Sequence, residues 1–148
     1  LTEEQVTRAI LARLADGNWH IIAYDFPQSG TGIMLHPNGG SAAKNKGGFV
    51  PDIIAVKGEI CLFFENKNRF FADDFNKLFS LISDNQYTVD IEKLLRNFAV
   101  DNIYYGIGLP SEKWTKKAIE YAKMVDFVLG VAEFGGVEFL YNPFGLVV

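Results

Sequence analysis

The chain has 148 residues, of which 49% are hydrophobic and 22% charged, with a formal net charge of -4. That is enough apolar material to bury the core of one globular domain spanning 1–148, and it excludes a disordered chain. The longest apolar runs, such as EICLFF, fall far short of the roughly 20 residues a membrane-spanning helix needs, and the negative balance argues against a protein that holds polyanions by unselective charge alone.

In chain order the pattern alternates between helix and strand. LTEEQVTRAILARLADG predicts a helix, with Thr2 and Gln5 spaced as a capping box, Val6, Ile10, Leu11 and Leu14 on one stripe, and Gly17 as a stop. WHIIAYDF predicts a strand. Pro27 to Gly48 is a glycine-rich connection with a short strand expected at GIMLH and a mobile tip at NGGSAAKNKGG. Strands at VPDIIAVK and EICLFFEN follow, then an amphipathic helix carrying Phe71, Phe75, Leu78, Phe79 and Ile82 on one side. Thr88 is placed to cap a helix VDIEKLLRNFA. A strand at NIYYGIGL, a helix from Ser111 to Lys123, and strands at DFVLGVAE and VEFLY complete the chain. The expected fold is α/β, a central mixed sheet flanked by helices, without repeats or a dividing linker.

No signal peptide is visible at the start, though the chain opens on Leu1 rather than Met, which takes weight from that absence. The single cysteine, Cys61, stands among Ile60, Leu62 and Phe63 and is expected to be a core residue of a cytoplasmic, reducing compartment.

The site follows from counting through one hairpin. A two-residue turn at Gly58-Glu59, with glycine at the first central position as a type II′ turn prefers, pairs Lys57 with Ile60 and, step by step, Asp52 with Glu65. Directly opposite residues share a face with Cβ atoms roughly 4.5–5.5 Å apart, and Lys67, two residues beyond Glu65, joins them. Ile54, Val56, Cys61 and Phe63 continue that face, while Ile53, Ala55, Leu62 and Phe64 make the other equally apolar. A hairpin covered on both faces belongs in the middle of the sheet, which puts the polar cluster at its end.

Opposed carboxylates destabilise a sheet, and a divalent cation that accepts both as ligands removes the penalty. Hard oxygen donors point to Mg²⁺ or Mn²⁺ rather than Zn²⁺, and the histidines, His20 and His36, have no metal-ligand spacing. Such a cation with an ammonium beside it suits hydrolysis of a phosphate ester. The competing reading is an ion pair of Lys67 with a carboxylate and no metal.

Pro51-Asp52, twelve intervening residues and Glu65-Asn66-Lys67 resemble the PD-(D/E)xK motif of the restriction-endonuclease-like nuclease superfamily. The order of a leading helix, a hairpin bearing the motif, a following helix and a further strand resembles the common core of that superfamily, from the first helix to the strand at 103–109. The resemblance implies a restriction-endonuclease-like core and metal-dependent cleavage of DNA. Asp52 and Glu65 would be metal ligands, the backbone carbonyl of Asn66 a further one, and Lys67 would orient the attacking water or stabilise charge. Many members add a glutamate from the first helix. Glu3 and Glu4 are available, Glu4 being preferred as the one further into the helix, although acidic residues in a first turn also simply complement the helix dipole. A subset of the superfamily carries Gln and, four residues on, Tyr after the motif; here Gln86 is followed directly by Tyr87, and Asp90 holds the later place.

Between Asp25 and Asp52 the chain has no acidic residue, so Lys44 and Lys46 are candidates for contact with DNA phosphates, with Arg69 beside the motif. Lys113, Lys116, Lys117 and Lys123 read as a solvated helix face. GIGLPS, from Gly106, reads as a strand end permitting tight packing rather than a nucleotide-binding turn. Most of the phenylalanines read as core, with Phe70 and Phe71 as candidates for stacking on bases. A domain this small leaves little room for both catalysis and long-site recognition, so duplex cleavage calls for a homodimer or an attached recognition domain. Two alternatives to an endonuclease are a non-catalytic module that keeps the fold and binds nucleic acid or protein, and a structural domain whose cluster is an ion pair.

Overall fold

The structure, a computed structural model, describes residues 1–27, 29–39 and 47–148. Helix α1 (Glu3–Asp16) begins on the expected capping box: the Gln5 N–H donates to Thr2 Oγ1 at 3.1 Å, and the Thr2 N–H donates to Gln5 Oε1 at 2.7 Å. Its chain reversal uses Asn18 in the left-handed region (φ 65°), with Gly17 at the C-cap. Strands β1 (His20–Tyr24), β2 (Ile53–Lys57) and β3 (Ile60–Asn66) follow, then helices α2 (Ala72–Asp84) and α3 (Thr88–Leu94). Strand β4 (Asn102–Pro110), the short helix α4 (Lys116–Tyr121), and strands β5 (Phe127–Val131) and β6 (Val137–Tyr141) complete the domain. No helix among the described residues is long and apolar enough to cross a membrane.

The six strands lie in the order β1-β2-β3-β4-β5-β6. The pairs β3–β4 and β4–β5 are parallel, while β1–β2, β2–β3 and β5–β6 are antiparallel, so the sheet is mixed and helices flank it. Val6, Ile10 and Leu14 of α1 cover Ile53, Ala55, Leu62 and Phe64 on one face. Phe75 and Leu78 of α2, with Ile91 of α3, cover Ile54, Val56, Cys61 and Phe63 on the other. Both faces of the motif hairpin are therefore buried, as the sequence predicts. Cys61 is a core residue, its thiol pushed up to about 12 by burial.

Direction matters more than order. The C-terminal ends of β1, β3, β4 and β5 and the N-terminal ends of β2 and β6 lie along one rim of the sheet, where Asn66 is level with Gly108 and Pro110 with Val131. The long connection after β1 and the Phe134 hairpin tip both open there. The opposite rim carries the two-residue Gly58-Glu59 turn, and Val148 returns to it beside Gly17, its carbonyl carbon 3.1 Å from where a Cβ on that glycine would stand.

Several elements differ from expectation. The GIMLH segment forms only a bridge, Leu35 to Phe49, rather than a strand. Thr88 does not cap α3; its Oγ1 accepts from Asn38 Nδ2 at 2.7 Å, and α3 ends at Leu94. The single helix expected from Ser111 to Lys123 is broken at Trp114, because the Thr115 side chain accepts from the Ala118 N–H and starts α4 afresh. On α2, Phe79 and Ile82 are exposed, and the buried stripe narrows to Phe75 and Leu78. The tip of the glycine-rich connection, with Lys44 and Lys46, lies outside the described residues.

The glycines of β4 are packing positions, as their sequence predicts. A Cβ on Gly106 would enter the ring of Phe127, which is fully buried, and one on Gly108 would meet Asn66 Oδ1 and Ile10 Cδ1. Gly106→Ala is expected to cost about 1–3 kcal/mol by overpacking, read as a lower urea midpoint with an unchanged slope.

Candidate active site

The hairpin has the expected register: Ile53 pairs with Phe64, Ile54 with Phe63, and so on to Lys57 with Ile60 around Gly58, whose φ of 57° suits the first central position of a type II′ turn. Asp52 stands one residue before β2, where the ladder has ended at Ile53 and Phe64, so it neighbours Glu65 at the rim without pairing with it as the counted register expects. Its N–H donates to the Phe64 carbonyl at 2.8 Å, and its Oδ2 accepts the Asn66 N–H at 2.6 Å. A side-chain carboxylate thus closes the ladder at the rim, taking a backbone donor that continued pairing would have given to a carbonyl. None of the ion pairs among the described residues includes Asp52. Burial, reinforced by Glu65 and Glu3 and opposed by the Asn66 N–H and Lys67, raises its pKa to about 8.

Glu65 is the buried partner, its side chain only 9% exposed. Two ammonium groups hold its two oxygens: Lys67 Nζ lies 3.9 Å from Oε1 and Lys77 Nζ 3.5 Å from Oε2. Burial still raises its pKa, with Asp74 pushing the same way against the two lysines. Lys67 N–H donates to the Gly108 carbonyl at 2.9 Å, which fixes the backbone just past β3. Burial tends to lower the Lys67 pKa, but Asp74, Glu3, Glu65 and Asp52 outweigh it and raise the group above its usual value.

Asn66 points the other way, as strand alternation requires. It is fully buried beneath α1, where Nδ2 donates to Thr7 Oγ1 at 3.0 Å, and its Oδ1 has no hydrogen-bond partner. The absence of a side chain on Gly108 makes the room for it.

From α1, the residue that reaches the cluster is Glu3, not the preferred Glu4. Glu3 Oε1 is 3.8 Å from Lys67 Nζ, while Glu4 pairs with Arg8 one turn on, at 3.6 Å on an exposed face. The helix begins against the sheet rim with Glu3 inward, and one further residue of helical rotation carries Glu4 away. Arg69 is exposed, with its guanidinium 4.6 Å from the Phe71 ring centre; the Lys67 ammonium is 5.8 Å from the same centre. Phe71 is thus flanked by cations, whereas Phe70 packs on Phe75 and Tyr121 at 5.4 Å each and belongs to the core. Lys113, Lys116, Lys117 and Lys123 are exposed, as a solvated face requires.

Two residues of α2 that the motif does not mark also belong here. Asp74 is half-buried, with Oδ2 unpartnered; burial raises its pKa against the pull of Lys67 and Lys77. Lys77 pairs with Glu65. Their trace in the sequence is the spacing of three, flanking the buried Phe75 and Leu78, which puts both at the boundary between the core-facing and solvent faces of α2.

Beside α2, the start of α3 grips both feet of the glycine-rich connection. Asp90 accepts the His36 N–H at 2.7 Å, Asn38 Oδ1 accepts the Val89 N–H at 3.0 Å, and the Tyr87 hydroxyl donates to the Gly47 carbonyl. Leu35 and Phe49 close the base with bonds of 2.7 and 2.9 Å.

The donor set fits a hard divalent cation. Glu3, Asp52, Glu65 and Asp74, when ionised, exceed the two lysines by two negative charges, and burial raises the pKa of Asp52, Glu65 and Asp74 against the pull of the lysines. Among the described residues, no three His, Cys, Asp or Glu side chains form a ready-made cation cage. A magnesium site needs less, since Mg²⁺ keeps several waters and takes one or two carboxylates.

The sequence matches no protein-family model and no curated protein. A solved structure described as an FdxN element excision controlling factor protein from Anabaena variabilis resembles the chain with a TM-score of 0.49 and 13% sequence identity, over 93% of this chain and 98% of that one. A likeness of that strength assigns neither a fold family nor a function.

Proposed function

We propose that the chain is a Mg²⁺- or Mn²⁺-dependent endonuclease that hydrolyses phosphodiester bonds in DNA, with a restriction-endonuclease-like core. The observation that carries this reading is the convergence of Asp52, Glu65 and Lys67 at one rim of a sheet whose motif hairpin is buried on both faces. Asp52, Glu65 and the backbone carbonyl of Asn66 would hold the cation, with Glu3 replacing Glu4 as the residue contributed by α1. Bound there, the cation supplies Lewis-acid polarisation of the phosphoryl group and an acidified water.

The chain's own residues do the rest. Glu65 is buried and Asp52 half-buried, and the Asn66 N–H holds Asp52 while Lys67 holds Glu65, so both carboxylates are oriented before substrate arrives. Lys67, with its pKa above the usual value, remains an ammonium at neutral pH. It therefore acts by charge, orienting water and stabilising negative charge on the phosphoryl oxygens, and not as a base. Lys44 and Lys46 of the glycine-rich connection, which lie outside the described residues, and Arg69 are assigned to DNA contact; a homodimer or an attached recognition domain would supply long-site recognition.

Incubating the purified chain with supercoiled plasmid, with and without Mg²⁺, tests the reading. A nicked or linear product that requires the metal is expected. DNA affinity without cleavage would establish the non-catalytic module instead. The lysine pairs of Glu65 favour the ion-pair reading if neither metal nor DNA is bound.

A further inference from the structure

Both oxygens of Glu65 are occupied, and the two occupants are held differently. Lys67 has a second carboxylate partner, Glu3 at 3.8 Å, and a backbone pinned to β4. Lys77 has, among the ion pairs of the described residues, only Glu65. Its side chain is 46% exposed, and its ammonium stands 4.8 Å from the ring centre of Phe49, at the foot of the glycine-rich connection. On the outer side a hollow of about 160 Å³ opens, lined by Lys77, Ser80, Leu81, Asp84, Gln86 and Tyr87. A divalent cation bound by Glu65 would repel both ammonium groups, and the one with a single carboxylate partner and open space beside it is the one free to leave.

We propose that Lys77 is a second phosphate-binding ammonium, which neutralises Glu65 while the cation is absent and passes to a phosphate of the DNA backbone once the cation takes that carboxylate. This deepens the nuclease reading and rests on it. The flexible lysine stem pivots over Phe49, so the ammonium moves between the site and the connection assigned to DNA without any change of backbone. No covalent step is involved: a charge pair is exchanged for another.

Three proteins test it: wild type, Lys77→Met, which keeps the apolar stem, and Lys77→Arg, which keeps the charge. In calorimetric titration with Mn²⁺ alone, Lys77→Met is expected to bind about tenfold more tightly than wild type, because a positive charge that competes for Glu65 is gone. In duplex DNA binding with Ca²⁺ in place of Mg²⁺, its salt slope is expected to fall by about 0.9, the loss of one phosphate contact, with Lys77→Arg near wild type. Wild-type values of Mn²⁺ affinity and salt slope in Lys77→Met would overturn the exchange while leaving the nuclease reading intact. So would a lower melting temperature as the sole change, the mark of a structural ion pair. A wild-type chain that takes up no Mn²⁺ would overturn both together.

Discussion

Asp52→Asn is expected to abolish metal-dependent cleavage and, in the same protein, to raise the melting temperature measured without metal at pH 8.5. The amide keeps an oxygen to accept the Asn66 N–H, so the rim of the hairpin stays closed. What goes is a buried negative charge facing Glu65 with no ammonium within ion-pair distance among the described residues. Loss of a ligand that helps position a Lewis acid is expected to lower cleavage by about 10³-fold or more, several kcal/mol of transition-state stabilisation. Loss of an uncompensated buried charge is expected to add about 1 kcal/mol of stability, or roughly 2–4 °C for a domain of this size. Plasmid cleavage and thermal denaturation measure the two. A variant that melts lower, in a protein whose wild type ignores Mg²⁺, would make Asp52 part of a stabilising charge network and no metal ligand.

Metal and pH should act on the fold in opposite senses. The Asp52 carboxyl titrates near 4 in the unfolded chain and at about 8 in the fold. Below the lower value both states hold the proton and stability is full. Between the two the unfolded chain has released a proton that the fold still holds, so stability declines as pH rises, and the loss is complete above 8. A divalent cation binds the deprotonated form and offsets the penalty, so its effect grows with pH. At about 100 times its dissociation constant, Mn²⁺ is expected to add about 2.7 kcal/mol at pH 8.5, roughly 5–10 °C in melting temperature, and much less at pH 6. Differential scanning fluorimetry at the two pH values decides it. An equal shift at both, or the same pH dependence retained in Asp52→Asn, would sink the linkage.

The motif end of the site was legible because it is local. A two-residue turn fixes register, register fixes which side chains face one another, and alternation puts Lys67 with Asp52 and Glu65 and sends Asn66 to the other side. The contributions from helices were not. Choosing between Glu3 and Glu4 needs the rotation of α1 about its axis, set by how Val6, Ile10 and Leu14 seat on the sheet. Lys77 and Asp74 are ordinary polar residues of an amphipathic helix until α2 packs and turns their edge toward Glu65. The break at Trp114 was missed for a different reason: the apolar period runs on, and a single threonine cap outweighs it. The α/β class and the order of most elements follow from the period of the apolar pattern, but the strand expected at GIMLH and the unbroken helix from Ser111 to Lys123 do not form.

The two rims of the sheet make residues 1 and 148 unequal as points of attachment. Helix α1 starts with Glu3 against Lys67, whereas Val148 lies beside Gly17 at the far rim. A purification tag, fluorophore or fused domain joined ahead of Leu1 would crowd the mouth of the proposed active site and bring its own charges to the lysines there. The same addition after Val148 would hang from the back of the sheet, clear of any DNA held at the front, and two tagged versions compared side by side would reveal which rim the substrate uses.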